Sequence, residues 1–400
     1  MFPKPLEGIR VVDLTRVLAG PFCTMILEDL GAEVIKIEKP QQGDDARHFG
    51  PFLDEDQTKS SYFISLNSGK KSVALDIRHR VGKEILTRLI KCSDVLVENY
   101  RPGTLAKLGF SDSTVKALNP NLILTSISGF GHTGPESQNA AYDMIIQGLS
   151  GIMSITGTED GRRVRVGTSI SDIVTGLYAV IGILGALYRQ KISKISARPD
   201  IAMLDSTISI LENAIARSQL SDIPPGPLGT RHPSITPFET YRTRDAEIII
   251  AVGNDKMFTA FCDVIGKPEL VLDARFRDNM HRTQNFEAMR HEINSVLATA
   301  DLAVWLKRLK RRKIPCAKVN DMRDLFAYDQ VKARNMLVAV EGEKSFRVAG
   351  SPLKFSGEAD IQKKGKPPTL GEHNEEILIG LLGYSRKQVE EMYSAKVLSK

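Results

Sequence analysis

A chain of 400 residues exceeds the length at which one hydrophobic core usually stops growing, so two domains are expected. The net charge of +6 arises from intermixed acidic and basic residues, which argues against nucleic-acid binding. The longest apolar stretch, 173–188, is shorter than the ~20 residues that cross a bilayer. Four scattered cysteines predict reduced thiols and no metal site. Without a signal peptide pattern, we expect a cytoplasmic protein that does not associate with membranes.

The first third of the chain alternates short apolar runs with helical patterns. Near-continuous Val/Ile/Leu strands separated by amphipathic helices are typical of a parallel sheet covered on both faces. The sequence therefore predicts an α/β fold with a doubly wound parallel sheet. The predicted strands are 9–14, 33–38, 71–77, 94–99 and 121–128, and the predicted helices are 21–30 and 81–91.

A long apolar helix is predicted over 171–189, and the pattern changes after the proline- and glycine-rich segment 221–229. A hairpin over 238–254 and short charged helices up to residue 312 predict a smaller α/β domain. A strand pair over 336–355 and a polar helix follow. The predicted division is a large domain at 1–200, a linker at 201–224, a small domain at 225–325, and a return linker with the C-terminal part of the large domain at 326–400.

The stretch SGFGHTGP contains Gly129, Gly131 and Gly134 in the GxGxxG spacing of dinucleotide-binding loops. That motif also requires a helix that starts at the third glycine, and Pro135 with the polar residues after it predicts none. A nicotinamide dehydrogenase is therefore a remote alternative. Neither a GxSxG nor an HExxH motif occurs, so the common serine-hydrolase and zinc-protease signatures are absent.

Asp172 lies where a polar, glycine-bearing run meets the long apolar helix. Ser171 and Asp172 are therefore predicted at the cap and first turn, where backbone N–H groups and the helix dipole favour an ionised carboxylate. Such an aspartate is a competent nucleophile towards an activated acyl carbon. The alternative is that it only caps the helix, which is the commoner role of aspartate at this position.

Several cations follow predicted strands. Lys39, Arg78 and Arg101, the last with Asn99 beside it, come directly after strand ends, where doubly wound sheets bind their ligands. Together they favour an anionic ligand, although each alone could be an ordinary surface charge.

Taken together, the chain resembles the class III coenzyme A transferase family, which includes formyl-CoA, carnitine-linked and succinyl-CoA:dicarboxylate transferases. The resemblance covers essentially the whole chain, and the GxGxxG-like stretch is one of its blocks. The blocks that carry it are PLEGIRVVDLTRVLAGP (5–21), LGAEVIKIEKP (30–40), SLNSGKKSVALDI (65–77), VLVENYRPGTLAKLGF (95–110), ISGFGHTGP (127–135), AAYD (140–143), the Asp172 helix, DIAMLDS (200–206), AVGNDKMF (251–258) and IPCAKVNDM (314–322).

The resemblance implies that Asp172 attacks the donor thioester and forms a covalent aspartyl intermediate. It further implies no metal and no permanently bound cofactor, with a coenzyme A thioester and a carboxylic acid as substrates. It implies an interlocked homodimer and a substrate loop at Gly253 and Asn254. The residues that resemble coenzyme A contacts are Leu18, Ala19, Lys39, Leu75, Asp76, Arg78, Asn99, Tyr100, Arg101 and Lys107, with Ala140, Ala141, Tyr142 and Asp143 beside the thioester.

Two other functions remain open at this point. An α-methylacyl-CoA racemase of the same fold would need a histidine at position 142, where this chain has Tyr142, so transferase is preferred. A non-catalytic acyl-CoA-binding protein is the other alternative, and the presence of Asp172 argues against it. The N-terminal blocks resemble the succinyl-CoA:dicarboxylate branch, with Arg16 or Arg231 as a partner for the distal carboxylate. Formyl-CoA and oxalate are less favoured, since the usual glycine-rich loop is reduced to VGND.

Overall fold

The computed structural model describes residues 4–220, 222–357 and 361–399, and these form two compact units. The domain bounds drawn from the sequence stay a prediction, and Ser221, at the start of the proline-rich segment, lies outside the described residues. Of the described residues, the first unit comprises 4–152, 165–216, 329–357 and 361–399, and the second comprises 153–164, 217–220 and 222–328.

Twelve strands are found in the described part of the chain. In chain order they are β1 (Arg10–Asp13), β2 (Glu33–Glu38), β3 (Lys71–Ala74), β4 (Val95–Glu98), β5 (Ile123–Ser128), β6 (Asp200–Ala202), β7 (Phe238–Arg242), β8 (Glu247–Ala251), β9 (Cys316–Lys318), β10 (Leu337–Val340), β11 (Glu343–Ala349) and β12 (Lys363–Lys364).

The described helices are α1 (Ala19–Asp29), α2 (Ser61–Asn67), α3 (Arg80–Lys91), α4 (Thr104–Lys107), α5 (Asp112–Leu118), α6 (Asp143–Leu149), α7 (Ile152–Ile155), α8 (Ile170–Ser193), α9 (Met203–Ser209), α10 (Asn213–Ser218), α11 (Asp255–Ile265), α12 (Asn279–Gln284), α13 (Phe286–Leu297), α14 (Leu302–Arg311), α15 (Met322–Ala327), α16 (Asp329–Ala333) and α17 (Arg386–Ser394). Two 3₁₀ turns, Asp45–His48 and Pro268–Val271, and one π-helical turn, Glu376–Leu381, complete the set.

The first unit contains a six-stranded sheet in the order β3-β2-β1-β4-β5-β6, and every neighbouring pair is parallel. The five strands predicted from the sequence are confirmed. The sequence analysis missed β6, which has only three residues and follows Pro199. The strand order reverses between β1 and β4, and the carboxyl ends of strands beside such a reversal are where doubly wound sheets bind ligands.

Helices cover both faces of this sheet, as the continuous apolar strands predict. On one face Cys23 and Leu27 of α1 pack with Ala179 and Ile183 of α8. The opposite face is covered by α3 and α5 together with the C-terminal segment, whose Ile377, Leu378 and Val389 join the core there. The doubly wound α/β class is therefore confirmed. A smaller sheet, in the order β11-β10-β12, lies in the same unit.

Helix α8 is longer than predicted, with 24 residues from Ile170 to Ser193. The expectation that this stretch is too short to cross a bilayer is therefore wrong, since by length and composition it qualifies. The helix packs against α1 and α9, and 44% of its most apolar 18 residues are buried in protein.

The second unit has its own core. An antiparallel sheet in the order β7-β8-β9 contains the predicted hairpin, and β9 adds a third strand to it. Trp305, Phe261, Phe276 and Ile293 are at most 1% exposed in this core, and the indole N–H of Trp305 donates to the carbonyl of Leu297. The unit is thus a smaller α/β body with an independent apolar centre.

Candidate active site

A cavity of about 500 Å³ lies in the first unit at the carboxyl ends of β1, β4 and β5. The loops after those strands supply its wall, and the start of α8 supplies Asp172. This is the edge at which a doubly wound sheet presents its loops to a ligand. The cavity is lined by Arg16, Val17, Leu18, Ala19, Asp45, Asn99, Tyr100, Arg101, Pro102, Thr104, Ile127, Ser128, Gly129, Ser137, Asn139, Ala140, Ala141, Tyr142, Asp172 and Met203.

Two glycines bring the walls of this cavity together. A Cβ at Gly176 would lie 2.8 Å from the carbonyl oxygen of Ala19, so only glycine allows α8 to pack this closely on α1. Gly176 is four residues after Asp172 and therefore on the same side of α8, which places the carboxylate beside the start of α1. A Cβ at Gly129 would lie 2.2 Å from the Cβ of Ala141. Gly129, the first glycine of the GxGxxG-like stretch, therefore leaves the space into which the segment 140–142 packs.

No helix starts at Gly134 in the described chain; turns follow it, and the next helix is α6, from Asp143. The dinucleotide-binding interpretation therefore lacks the structure that it needs.

Asp172 lies in the first turn of α8, as predicted, but Ser171 is not its cap. The helix begins at Ile170 with Ser169 at the cap position, and no side chain caps it there. The Oδ1 atom of Asp143 instead accepts the Ser171 N–H at 2.9 Å. Asp143 is buried, and its Oδ2 accepts from Gln147, whose own Oε1 accepts the N–H of Val166. One buried carboxylate thus ties α6 to the start of α8.

The protonation of Asp172 differs from the sequence expectation. Burial raises its pKa to about 7, and the negative charge of Asp143 adds to the increase. The dipole of α8 was expected to favour the ionised form, but loss of hydration and a neighbouring carboxylate outweigh it. The expectation of a fully ionised aspartate is therefore wrong for the free protein, in which the two forms coexist near pH 7.

A second cavity of about 230 Å³ adjoins the first and shares Arg16, Asp45 and Tyr100 with it. Lys39 and Leu75, from the ends of β2 and β3, also line this cavity. Burial raises the pKa of Tyr100 to about 12, with Glu98 contributing, so its hydroxyl stays neutral at physiological pH. The two cavities together follow the carboxyl edge of the sheet from β3 to β5.

The structure thus brings eleven of the predicted site residues to these two cavities. Leu18, Ala19, Asn99, Tyr100, Arg101, Ala140, Ala141, Tyr142 and Asp172 line the larger, and Lys39, Leu75 and again Tyr100 line the smaller.

The remaining predicted residues line neither cavity. Asp76 and Arg78 lie in the turn after β3, where Arg78 is exposed, and Lys107 is exposed in α4. Asp143 is the buried anchor of α8. Gly253 and Asn254 belong to the second unit, where Asn254 caps α11 by accepting the N–H of Met257.

The cations differ in availability. Arg16 is paired with Asp45 at 2.8 Å, and Arg231, in the second unit, lies over the ring of Phe286. Within residues 4–220, 222–357 and 361–399, neither Arg101 nor Lys39 has an ion-pair partner, and each lines a cavity. These two side chains are therefore the ones free to meet an anionic ligand.

The sequence analysis missed several lining residues. Asn139 directly precedes the AAYD block, and Ser128, at the end of β5, lies in the block 127–135. Their positions in or beside blocks that resemble the family were the signal that could have identified them. Met203 lies within the block 200–206, so the same signal was available for it, whereas Asp45 gave none, because only the folded chain brings it to the cavity. No cluster of metal-ligating side chains occurs in the described part of the chain.

Comparison with known proteins identifies the class. The chain is a coenzyme A transferase, and its relatives are named for transfer between an acyl-CoA and a carboxylate. The model of CoA-transferase family III matches residues 6–374, so the chain belongs to this family. The sequence-based identification of the family and of the enzyme class is confirmed.

Individual relatives cover almost the whole chain. The acetyl-CoA:oxalate CoA-transferase of Acetobacter aceti is 40% identical over 92% of this chain and 94% of its own length. The succinyl-CoA:glutarate CoA-transferase of Mus musculus is 36% identical over 99% of this chain and 90% of its own. The crystal structure of a CAIB/BAIF family protein from Brucella suis has a TM-score of 0.84 and 37% identity, covering 95% of this chain and all of that one.

Proposed function

We propose that the protein transfers coenzyme A from an acyl-CoA to a free carboxylic acid through covalent intermediates on Asp172. The observation that carries the proposal is the position of this aspartate. It is half-buried, lies at the start of α8 and faces a cavity lined by residues that resemble coenzyme A contacts. A carboxylate that served only as a helix cap would accept backbone N–H groups, but Asp172 accepts none in the described chain, and the N–H of Ser171 in the same turn is bound by Asp143 instead.

In the first half of the reaction, an Oδ atom of Asp172 attacks the thioester carbonyl carbon of the donor. The C–S bond breaks, coenzyme A leaves as the thiolate, and a mixed anhydride forms. The thiolate then attacks Cγ of Asp172, which releases the donor acid as its carboxylate and leaves an aspartyl-CoA thioester.

In the second half, the acceptor carboxylate attacks the aspartyl thioester and expels the thiolate, which gives a second anhydride. Attack of the thiolate on the acceptor acyl carbon forms the new acyl-CoA and returns Asp172 as a carboxylate. No proton, metal or electron is gained or lost overall.

We further propose dicarboxylic acids as substrates, with succinyl-CoA as the donor. The names of the relatives pair succinyl-CoA with glutarate and acetyl-CoA with oxalate, and both of these acceptors are dicarboxylates. Because the Acetobacter enzyme is named for oxalate, oxalate should be tested as an acceptor as well. Arg101, which has no ion-pair partner in the described chain, is better placed for an anionic group than Arg16, which is paired with Asp45.

Trapping of the activated aspartate tests this proposal. The protein is incubated with succinyl-CoA and hydroxylamine, and its intact mass and peptide map are measured. We expect a hydroxamate on Asp172, and none in the Asp172→Asn variant. Asp205→Asn is a matched control, because Asp205 also lies in the first turn of a helix but lines neither cavity.

Absence of any adduct with succinyl-CoA, acetyl-CoA and oxalyl-CoA would refute the covalent route. Exchange of the α-proton in deuterated water without any acceptor acid would favour a racemase instead.

We also propose that two copies of the chain associate through α8. Its exposed apolar side chains Leu177, Ile181, Leu184, Tyr188 and Ile192 recur at helical spacing along one side of the helix. A contiguous apolar strip of this kind is typical of a surface covered by protein or by lipid. A second copy is favoured because the same helix carries Asp172, so association would fix the active-site wall.

Light scattering and vesicle flotation distinguish these possibilities. We expect a dimer that does not float with lipid vesicles, and an Ile181→Glu variant that dissociates or loses solubility. A monomer that floats with vesicles would show that lipid covers this strip.

A further inference from the structure

The residue that precedes the cap of α1 has an unusual backbone conformation. Val17 has a φ angle of 68°, in the left-handed region that β-branched residues avoid. Seven other non-glycine residues of the described chain have positive φ, but none of them is β-branched. A conformation of this kind persists only where the surrounding structure enforces it.

Asp44 enforces it. Its Oδ1 accepts the N–H of Val17 at 3.0 Å, and its Oδ2 lies 2.8 Å from Nζ of Lys36. The same Nζ donates to the carbonyl of Thr15 at 2.8 Å. The side chains of Asp44 and Lys36 are at most 1% exposed, so a buried ion pair holds the segment at both ends.

Side chains hold the backbone between these points as well. The N–H of Thr15 donates to Asp13, and the N–H and the carbonyl of Arg16 both bind the amide of Asn99. We call the side chains of Asp13, Lys36, Asp44 and Asn99 the clamp.

The clamped segment forms part of the active-site wall. Strand β1 ends at Asp13 and α1 begins at Ala19, so the bonds of the clamp to Thr15, Arg16 and Val17 act on the connection between them. Residues Arg16 to Ala19 line the cavity that Asp172 faces, and Ala19 contacts α8 at Gly176, one turn after Asp172. The backbone at Val17 therefore sets the position of the wall next to the nucleophile.

We propose that Asp44 is a positioning residue of the transferase, because it holds Val17 in its strained conformation and so fixes the segment 16–19 against Asp172 before substrate binds. The inference rests on the proposed function, since its effect on turnover is read as acyl exchange. Reacting groups held in place in advance lower the barrier, and misplacement by about 1 Å can cost on the order of 100-fold in rate. The competing roles for Asp44 are neutralisation of the buried Lys36 and capping of the 3₁₀ turn Asp45–His48, because its Oδ1 also accepts the N–H of Ala46 at 2.9 Å.

Replacement of Asp44 by alanine in three backgrounds separates these roles. Glycine adopts a φ of 68° without strain, whereas alanine does not, so Val17→Gly and Val17→Ala form a matched pair. We expect Asp44→Ala to lower kcat/KM for acyl-CoA at least tenfold in the wild-type and Val17→Ala backgrounds. In the Val17→Gly background the loss should be less than threefold, because the clamp is no longer needed there.

Equal losses in all three backgrounds would overturn the proposal. Recovery of activity in Asp44→Ala/Lys36→Met without a change at Val17 would also overturn it, since that variant removes the unpaired charge and restores no bond to the backbone of Val17. Thermal unfolding of each variant shows whether it folds. If Asp44→Ala folds in no background, the same comparison is made with Asn99→Ala, which removes the exposed half of the clamp.

The unfolding temperatures of the variants test the strain at Val17 without an activity assay. Val17→Gly should unfold at a higher temperature than Val17→Ala, and the reverse order would contradict strain at this residue. A wild-type protein without acyl exchange would refute the proposed function and leave this comparison intact.

Discussion

Replacement of Asp143 by asparagine should shift the pH at which the enzyme becomes active. The pKa of Asp172 is raised to about 7, first by burial and then by the negative charge of Asp143. Asparagine is neutral and nearly isosteric, and it can still accept the N–H of Ser171. The variant therefore removes the second cause of the raised pKa and leaves the first.

The magnitude follows from the geometry. Asp143 binds the backbone N–H of Ser171, the residue next to Asp172, so the two carboxylates are within roughly 8 Å of each other. With an effective dielectric constant of about 20, a like charge at that distance costs about 2 kcal/mol, which corresponds to a pKa change of about 1.5. We expect the pKa of Asp172 to fall to roughly 5.5–6 in the variant, since burial persists. At pH 6 its ionised fraction would then rise from about one tenth to at least about one half.

The assay is kcat/KM for acyl-CoA measured across the range from about pH 5 to pH 9. In the proposed mechanism the nucleophile is the ionised carboxylate, so the rate should rise with pH through the pKa of Asp172 in the free enzyme. The wild type should reach half of its plateau near pH 7, and the Asp143→Asn variant about 1 pH unit lower. A midpoint unchanged by the substitution would refute the electrostatic role of Asp143, and a flat wild-type profile would refute the raised pKa.

A double variant controls for the hydrogen bonds. In the wild type, the side-chain NH₂ of Gln147 donates to Oδ2 of Asp143. In Asp143→Asn alone, this NH₂ group would face the NH₂ group of the new asparagine, and the hydrogen bond would be lost. Asp143→Asn/Gln147→Glu restores that contact and keeps an acceptor for the N–H of Val166. It also moves the negative charge to the next turn of α6, so its midpoint should lie between those of the wild type and the single variant.

Two further predictions concern stability, measured by chemical denaturation. A Cβ at Gly82 would lie 1.9 Å from the carbonyl oxygen of Asp76, so Gly82→Ala should destabilise the protein by about 2 kcal/mol or more. Gly148, in α6, has no atom within 4 Å of such a Cβ, so Gly148→Ala should stabilise it by about 0.5–1 kcal/mol. Trp305→Phe removes the indole N–H donor of the Leu297 carbonyl, which keeps only the 3.5 Å bond from the N–H of Ala300, and should cost about 0.5–1.5 kcal/mol. Trp305→Ala should cost about 3–5 kcal/mol.

The strands could be predicted because parallel strands are buried on both faces and leave continuous apolar runs in the sequence. β6 carries no such signal, since three residues are too few for a pattern and its hydrogen bonds are made to β5, far away in sequence. Helix α8 was identified but cut short, because its last turn contains the polar residues Gln190, Lys191 and Ser193.

The position of Asp172 could be predicted from the change from polar to apolar sequence, but its ionisation could not. Helix-start arguments use only neighbours in sequence, whereas the loss of hydration and the charge of Asp143 come from the folded structure. The same holds for Asp44, whose bond to Val17 joins residues 27 positions apart. Local sequence therefore predicts which residue can react, and tertiary contacts determine how it is held.

The raised pKa of Asp172 bears directly on the proposed mechanism. Burial and the charge of Asp143 disfavour a negative charge at this carboxyl group. Both the mixed anhydride and the aspartyl-CoA thioester remove that charge, because the acylated carboxyl group is neutral. The environment that opposes ionisation of Asp172 would therefore stabilise the neutral covalent intermediates relative to the free carboxylate. The difference would be on the order of a few kcal/mol, because the same loss of hydration and the same repulsion by Asp143 are relieved. In the proposed mechanism the donor acid or the thiolate carries the charge away from the buried position, so the raised pKa would favour acylation of Asp172.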